Sequence, residues 1–295
     1  MTNSNSSNSP YILEMRNVSK TFPGVKALDQ INLRVKRGSV HALMGENGAG
    51  KSTLMKILYG IYIPDEGGEL ILDDKPFKPG RPIDAIRRGL TMVPQEISPA
   101  ANLTIADNFY LGREITKGKF FLNQKAMNEQ ASAILKELGV PMDVTEKMSD
   151  VSVAKAQLVA IATAVSNDAK VIIMDEPTTA LTENEVDQLY RIIETVKARG
   201  IAIIFISHKL DEVFRVSDEI TVIRDGQYVD TKPTKEVTKE QLISMMVGRD
   251  MSEMFQRERF ELSDEIVLEI KHFTREGKYQ DINFAVRKGE IFGIA

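Results

Sequence analysis

Short apolar runs alternate along the chain with segments of helical periodicity. The runs at 11–22, 31–38 and 40–45 are bounded by Gly and Pro and predict short strands, and the segment 52–61 then has the spacing of a helix. The same criteria predict further strands at 90–95, 170–177, 201–208 and 219–226, and helices at 123–139 and 152–165. Strands that alternate with helices predict an α/β fold with a mostly parallel sheet covered on both faces.

The composition is that of an ordinary globular protein. A chain of 295 residues with 42% hydrophobic content buries a full core and has room for additional segments. Its net charge of -4 provides no broad basic surface for nucleic acid, and the absence of cysteine excludes disulfides and thiolate metal sites. No apolar run approaches the roughly 20 residues that span a bilayer. The Ser/Asn-rich residues 1–10 predict a disordered tail, and we expect a soluble protein without a signal sequence.

A glycine-rich stretch, GENGAGKS, follows the strand predicted at 40–45 and fits the pattern G-x-x-x-x-G-K-[S/T]. Its glycines allow backbone N–H groups to face an anion, and the following helix adds its positive end. Lys51 is predicted to reach the β- and γ-phosphates of a nucleotide, and the Ser52 hydroxyl to ligate Mg²⁺. A glycine-rich turn that only caps a helix is the alternative. The candidate nucleotide-binding residues here are Gly45, Glu46, Asn47, Gly48, Ala49, Gly50, Lys51, Ser52 and Thr53.

Two carboxylate residues, Asp175 and Glu176, directly follow the apolar run VIIM at 171–174. Asp175 is predicted to hold Mg²⁺, directly or through water, and Glu176 to act as the general base on an attacking water. A solvated strand end is the alternative for this pair, and the phosphate loop favours the catalytic interpretation. His208 ends another apolar run and is a candidate to contact the γ-phosphate or orient the water. The remaining histidines are expected to be structural.

These residues resemble the nucleotide-binding subunits of ABC transporters, and within that family the bacterial sugar importers of the ribose, galactose and arabinose type. The resemblance extends from Tyr11 to the end of the chain. GENGAGKS is similar to the Walker A motif, and VIIMDEP is similar to Walker B with its glutamate. The resemblance implies a P-loop NTPase cassette with an antiparallel β subdomain and a helical subdomain at about 96–165, with ATP and Mg²⁺ as cofactors.

The resemblance also implies roles for residues that the patterns alone do not mark. Gln95 in MVPQE is similar to the Q-loop glutamine, and His208 to the switch histidine. Phe22 in NVSKTF is similar to the aromatic residue that stacks on adenine, with a core phenylalanine as the alternative. The segment 102–114 looks like the importer segment that faces the membrane subunits. The implied catalytic residues are Glu176, His208 and Gln95, and the implied Mg²⁺ ligands are Ser52, Gln95 and Asp175.

Two motifs depart from the family pattern. Where the signature L-S-G-G-Q belongs, the chain has Val151-Ser152-Val153-Ala154-Lys155, so only the serine is retained. The branched side chain of Val153 enters the space that glycine leaves open for a γ-phosphate on the opposite cassette. Thr182 also replaces the aspartate that many members have in the D-loop. We therefore predict that this cassette offers a poor signature to its partner and that the chain alone hydrolyses ATP very slowly.

An internal repeat relates the two ends of the chain. INLRVKRG at 31–38 is echoed by INFAVRKG at 282–289, and the segment 11–20 is echoed more loosely by 266–275. Chance similarity of two hairpins is the alternative. The repeat predicts a tandem protein, with a first cassette at 11–230, an extension and linker at 231–265, and the start of a second cassette at 266–295.

The function predicted from the resemblance is an ATPase that energises import of a monosaccharide. It implies a second cassette in the same full-length chain, integral membrane permease subunits, a periplasmic sugar-binding protein acting indirectly, and a peripheral position at the cytoplasmic face of the bacterial inner membrane. A soluble tandem-cassette ATPase acting on ribosomes is one alternative, although the six basic and eight acidic residues of 231–265 form a poor RNA surface. A nucleotide-dependent switch without turnover is the other alternative.

Overall fold

The computed structural model of the chain describes residues 9–118, 121–248 and 263–294, which belong to two compact units divided between residues 249 and 250. The disordered tail predicted at 1–10 falls, apart from its last two residues, outside the described residues. The same holds for 249–262 of the predicted linker. Among the described residues no helix is long and apolar enough to cross a membrane.

The secondary structure follows the predicted alternation. The strands are β1 (Tyr11–Phe22), β2 (Val25–Lys36), β3 (Val40–Met44), β4 (Glu69–Leu72), β5 (Lys75–Pro76), β6 (Leu90–Val93), β7 (Thr116–Lys117), β8 (Phe121–Leu122), β9 (Val171–Asp175), β10 (Ala202–Ile206), β11 (Glu219–Arg224), β12 (Gln227–Pro233), β13 (Ile266–Arg275) and β14 (Tyr279–Arg287). The α-helices are α1 (Lys51–Leu58), α2 (Pro82–Arg87), α3 (Ile105–Phe109), α4 (Gln124–Glu137), α5 (Val153–Val165), α6 (Glu183–Ala198), α7 (Leu210–Val216) and α8 (Lys239–Val247).

One ten-stranded sheet organises the first unit, in the order β5-β4-β1-β2-β12-β11-β3-β10-β9-β6. Strands β11, β3, β10, β9 and β6 pair in parallel, whereas β5, β4, β1 and β2 pair antiparallel. The prediction of an α/β fold with a mostly parallel core sheet and an antiparallel β subdomain is therefore confirmed.

The central strands are apolar because both of their faces are covered. All five residues of β3 and of β10 are buried, as expected for parallel strands between two helical layers. Val40 and Ala42 of β3 contribute to the core on one face, and Leu43 contributes to the core on the other. Because β3, β9 and β10 run in parallel, the loops that follow them leave the sheet at the same edge.

Helices α3, α4 and α5 lie within the region predicted as a helical subdomain. The helices predicted at 123–139 and 152–165 are confirmed as α4 and α5, with the small hairpin β7–β8 before α4. Phe109, Met127 and Leu135 are fully buried members of the same core. The apolar faces of the three helices pack into this core, whereas Val153 at the start of α5 is exposed.

The first unit extends further along the chain than the cassette boundary predicted at residue 230. That boundary falls inside β12, which pairs antiparallel with β11. Beyond it, α8 buries Leu242 completely, and Arg224 Nη1 donates a hydrogen bond of 3.1 Å to the Met245 carbonyl. Strand pairing and apolar burial therefore continue past the predicted boundary.

The second unit contains the hairpin β13–β14, whose pairing repeats that of β1–β2. The pairs Leu13↔Val35 and Val18↔Ile31 correspond to Leu268↔Val286 and Phe273↔Ile282, and both hairpins have register shifts at the matching places.

The repeat extends to single hydrogen bonds at the register shifts. The N–H of Asn17 donates to Asn32 Oδ1 at 3.1 Å, and the N–H of His272 donates to Asn283 Oδ1 at 2.7 Å. Asn17 and His272 both adopt the left-handed conformation, with φ of 51°. The internal repeat seen in the sequence is thus a repeat of backbone geometry.

Candidate functional site

The loop between β3 and α1 is shaped by two glycines that touch the sheet. A Cβ on Gly45 (φ 155°) would lie 2.2 Å from the Ile223 carbonyl oxygen, and a Cβ on Gly50 (φ 103°) would lie 2.6 Å from Leu28 Cδ2. A Cβ on Gly48 would have no neighbouring heavy atom within 4 Å. Gly50 is the N-cap residue of α1 and provides no side-chain acceptor for the first N–H groups of the helix. The outer side of the loop therefore leaves space and backbone donors for an anion.

Lys51 turns its side chain back over this loop. Its Nζ donates to the carbonyl oxygens of Gly45 at 2.7 Å and Glu46 at 2.9 Å. Burial lowers the pKa of the Lys51 ammonium, and the charges of Glu176 and Asp175 oppose that shift. The ammonium thus contacts the phosphate loop and lies within the electrostatic influence of the predicted base Glu176 and the predicted Mg²⁺ ligand Asp175.

A cavity of about 250 Å³ opens beside the loop and collects most of the predicted site residues. It is lined by Ala27, Asn47, Gly48, Gly50, Lys51, Ser52, Thr53, Gln95, Asp175, Glu176 and Ile206. Five segments meet here, namely β2, the phosphate loop with the start of α1, the segment after β6, the end of β9 and the end of β10. Gly45, Glu46 and Ala49 belong to the loop but not to the cavity lining.

Glu176 is the centre of the polar contacts at this edge of the sheet. Gln95 Nε2 donates to Glu176 Oε2 at 3.0 Å, and His208 Nδ1 lies 3.1 Å from Glu176 Oε1. The N–H of Glu176 donates to the Ile206 carbonyl at 2.8 Å, and its φ of 45° is left-handed. A non-glycine residue in this conformation is strained, and such residues cluster at functional sites. The carboxylate predicted as the base is therefore held by side chains from two other loops.

Asp175 and Ser52 form the oxygen-rich side of the cavity. Burial raises the pKa of the Asp175 carboxyl, the Glu176 charge adds to that effect, and Lys51 opposes it. A divalent cation would favour the ionised form of such a carboxylate. In the described part of the chain no three His, Cys, Asp or Glu residues group into a metal site. Mg²⁺ commonly takes one or two protein oxygens and completes its shell with phosphates and water. The hydroxyl and carboxylate present here fit that mode.

Phe22 lies at the end of β1, outside the cavity lining. Its half-buried ring packs edge-on against Tyr62, with ring centroids 5.2 Å apart, and Lys20 Nζ lies 5.3 Å from its ring centroid. Sequence reasoning missed Tyr62, a partly buried aromatic residue shortly after the end of α1. The ring is thus partly buried against Tyr62 and keeps part of its surface exposed.

The other histidines lie away from the cavity lining. His41 is fully buried in β3, with Nε2 2.7 Å from Thr221 Oγ1, and burial lowers its pKa to about 4. His272 Nδ1 lies 2.7 Å from Asp281 Oδ1 in the second unit.

The segment 151–155, which stands where the signature motif belongs, lies at the start of α5. Ser152 is the N-cap residue, and its Oγ accepts from the N–H of Lys155 at 3.3 Å. The Val153 side chain is 67% exposed. The valine that replaces a signature glycine is therefore presented to the surface at a helix N-terminus.

Comparison with known families and proteins gives consistent matches. The ABC transporter family model matches residues 28–179. The chain is 48% identical over 291 residues to the galactose/methyl galactoside import ATP-binding protein MglA of Mannheimia succiniciproducens, covering 98% of this chain and 57% of that protein. It is 47% identical over 290 residues to the protein of the same name from Fusobacterium nucleatum, with 98% and 57% covered. The chain thus spans little more than half the length of these relatives.

Solved structures show the same architecture. The ADP conformation of MJ1267, an ATP-binding cassette of an ABC transporter, aligns with a TM-score of 0.70 and 25% identity, covering 84% of this chain and 99% of that one. A nucleotide-free ATP-binding cassette from an ABC transporter aligns with a TM-score of 0.67 and 28% identity, covering 81% and 96%.

Proposed function

This chain belongs to the ABC transporter family, and we propose that it is the ATP-binding and ATP-hydrolysing part of a transporter that imports a monosaccharide. The observation that carries the proposal is the cavity where the phosphate loop, Lys51, Asp175 and Glu176 meet. The names of the two relatives described above, both galactose/methyl galactoside import proteins, support the substrate class. They give no support to action on ribosomes.

In this proposal the residues in and beside the cavity have defined tasks. The loop N–H groups and Lys51 hold the β- and γ-phosphates, and Glu176 accepts the proton of the attacking water. His208 and Gln95 hold the Glu176 carboxylate and orient that water. Mg²⁺, bound by Ser52, Asp175 and Gln95, would neutralise charge on the phosphates.

A second cassette is the proposed partner of this site. The β13–β14 hairpin supports it, because the positions that β1–β2 buries completely are open in the second unit taken by itself. Leu13 and Ile31 are fully buried, whereas the matching Leu268 and Ile282 are 48% and 40% exposed. A hairpin with an apolar face needs further structure to cover it. The additional length of the relatives is consistent with a second cassette that provides this cover.

We further propose that the segment 102–114 contacts integral permease subunits, which receive sugar from a periplasmic binding protein. Its Leu111 side chain is 59% exposed, which suits an interface position. This arrangement places the protein at the cytoplasmic face of the inner membrane, bound peripherally.

Sugar uptake by cells tests the proposed import. Disrupting the gene is expected to abolish uptake of at least one of radiolabelled ribose, galactose and methyl galactoside. Wild-type protein should restore uptake, and a Lys51→Ala variant of equal abundance should not. Normal uptake of all three sugars together with impaired translation would instead support the ribosome alternative.

Phe22→Ala is expected to weaken ATP binding if the ring stacks on adenine. Stacking of a base on an aromatic side chain contributes about 1–3 kcal/mol, which corresponds to a roughly 5- to 150-fold loss of affinity. Calorimetric titration should be made with ATP and with tripolyphosphate, which has no base. The matched control is Tyr62→Phe, which keeps the neighbouring ring. Equal losses for both ligands would show that Phe22 acts through the fold.

A further inference from the structure

A buried carboxylate lies behind the proposed hydrolytic site and takes no part in the cavity. Glu212, in the first turn of α7, is 7% exposed. Its Oε2 accepts hydrogen bonds from Thr178 Oγ1 at 2.8 Å and from Ser207 Oγ at 2.9 Å, and Lys209 Nζ lies 3.1 Å from Oε1. Thr178 and Ser207 are themselves almost fully buried.

The two hydroxyl donors belong to the two loops that form the site. Thr178 lies two residues after Glu176, and Ser207 directly precedes His208. The side chains of Glu176 and His208 approach to 3.1 Å. One oxygen atom of Glu212 therefore joins the segment that carries the proposed base to the segment that carries the histidine.

A role in starting α7 does not account for this arrangement. An acidic residue in the first turn of a helix is favourable in an exposed position, and Asp211 meets that requirement with an 85% exposed side chain. Burying a second carboxylate is costly unless hydrogen bonds satisfy it. The hydrogen bonds that satisfy the Glu212 carboxylate come from Thr178 and Ser207, which flank the site. The buried side chain therefore sets the separation of the two loops that carry these residues.

Backbone hydrogen bonds alone do not fix the separation of the loop after β9 from the loop after β10. The N–H of Glu176 donates to the Ile206 carbonyl, which aligns the last residues of β9 and β10. The turn at 177–180 and the residue His208 lie beyond that bond. The contact from Ser207 is reinforced because its Oγ also accepts from the N–H of Lys209 at 3.1 Å.

We propose that Glu212 is a positioning residue that fixes His208 against Glu176 by binding Thr178 and Ser207 together. The proposal rests on the function proposed above, since the position of His208 matters only if this site hydrolyses ATP. Glu212 is not among the residues that line the cavity. Loosening either hydroxyl contact changes the approach of His208 to the base while leaving the phosphate loop intact.

Three variants and two readouts test the role. Glu212→Leu removes both acceptors, Glu212→Gln retains one acceptor oxygen for both hydroxyls, and Glu194→Gln on the exposed face of α6 is the control. In this chain, the side-chain NMR resonance of His208, assigned as the one lost in His208→Gln, is expected to move in Glu212→Leu only. The resonances of His41 and His272 should stay in place. In the tandem protein, kcat of Glu212→Leu should fall at least about tenfold with KM within twofold, and Glu212→Gln should recover most of the rate.

The outcomes separate this proposal from the proposed function. An unmoved His208 resonance with an unchanged rate in a folded Glu212→Leu protein overturns the positioning role. Equal losses in the Leu and Gln variants also overturn it, because a charge effect would then replace the hydrogen bonds. If Glu212→Leu does not fold, the variants Thr178→Val and Ser207→Ala test the positioning role in its place. Each is expected to move the His208 resonance, and an unmoved resonance in both overturns the role. No hydrolysis by the wild-type tandem protein would overturn the proposed function, whatever the NMR result.

Discussion

Lys51→Ala is expected to reduce the affinity for ATP at least about 100-fold. The variant removes the ammonium that donates to the Gly45 and Glu46 carbonyls and lies beside two carboxylates. Hydrogen bonds to a charged group contribute about 1.5–3 kcal/mol each, so losing two of them to phosphate oxygens corresponds to a hundredfold change or more. The uncompensated charges of Asp175 and Glu176 would add repulsion toward the phosphates.

Calorimetric titration of ATP, ADP and AMP measures this effect. Because Lys51 is assigned to the β- and γ-phosphates, the loss should be largest for ATP and smallest for AMP. Lys56→Ala, on the same helix but outside the cavity lining, is the matched control and should keep its affinity within a few fold. Wild-type affinity in Lys51→Ala would contradict the assignment of the phosphate loop. An equal loss in Lys56→Ala would point to general electrostatic attraction.

Glu176→Gln is expected to lower the rate of ATP hydrolysis by roughly 10²–10⁴-fold while ATP still binds. Glutamine keeps the size of the side chain and an oxygen that can accept from Gln95, but it does not take a proton from water. The phosphate loop and Lys51 are unchanged, so binding is retained. The structural basis is the placement of this carboxylate at the cavity wall, 3.1 Å from His208.

Phosphate release by the proposed tandem protein under saturating ATP is the measurement. The exposed Glu183→Gln in the first turn of α6 is the control and should hydrolyse ATP at the wild-type rate. Turnover of Glu176→Gln equal to the wild type would mean that another group activates the water. A parallel loss of ATP affinity would mean that the residue supports binding instead of chemistry.

The phosphate loop was the part of the site most open to prediction from sequence. Its glycines, Lys51 and Ser52 are contiguous, and their spacing sets the local backbone between a strand and a helix. The structure adds why two of the glycines are required, since Gly45 and Gly50 touch the backbone or side chains of β11 and β2. Those contacts depend on strands that are distant in the chain, so the motif alone does not reveal them.

Contacts between distant segments of the chain produce the features that the sequence pattern does not reveal. The sequence predicts the end of the first cassette at residue 230, whereas β12 and α8 continue the first unit through strand pairing and the burial of Leu242. Tyr62 was overlooked because its contact with Phe22 joins segments about forty residues apart. Glu212 has the sequence signal of an ordinary helix start, and only its burial distinguishes it from Asp211.

The sequence by itself determined the local features of this protein: the alternation of strands and helices, the phosphate loop, the carboxylates at the end of β9 and the repeated hairpin. Each depends on periodicity or spacing within a few neighbouring residues, which short stretches of chain encode directly. The tertiary structure decided the order of the ten strands, and with it the meeting of Gln95, Glu176 and His208 and the link through Glu212. The physical reason is that these contacts depend on which apolar faces pack together, and that choice is made by burial across the whole core.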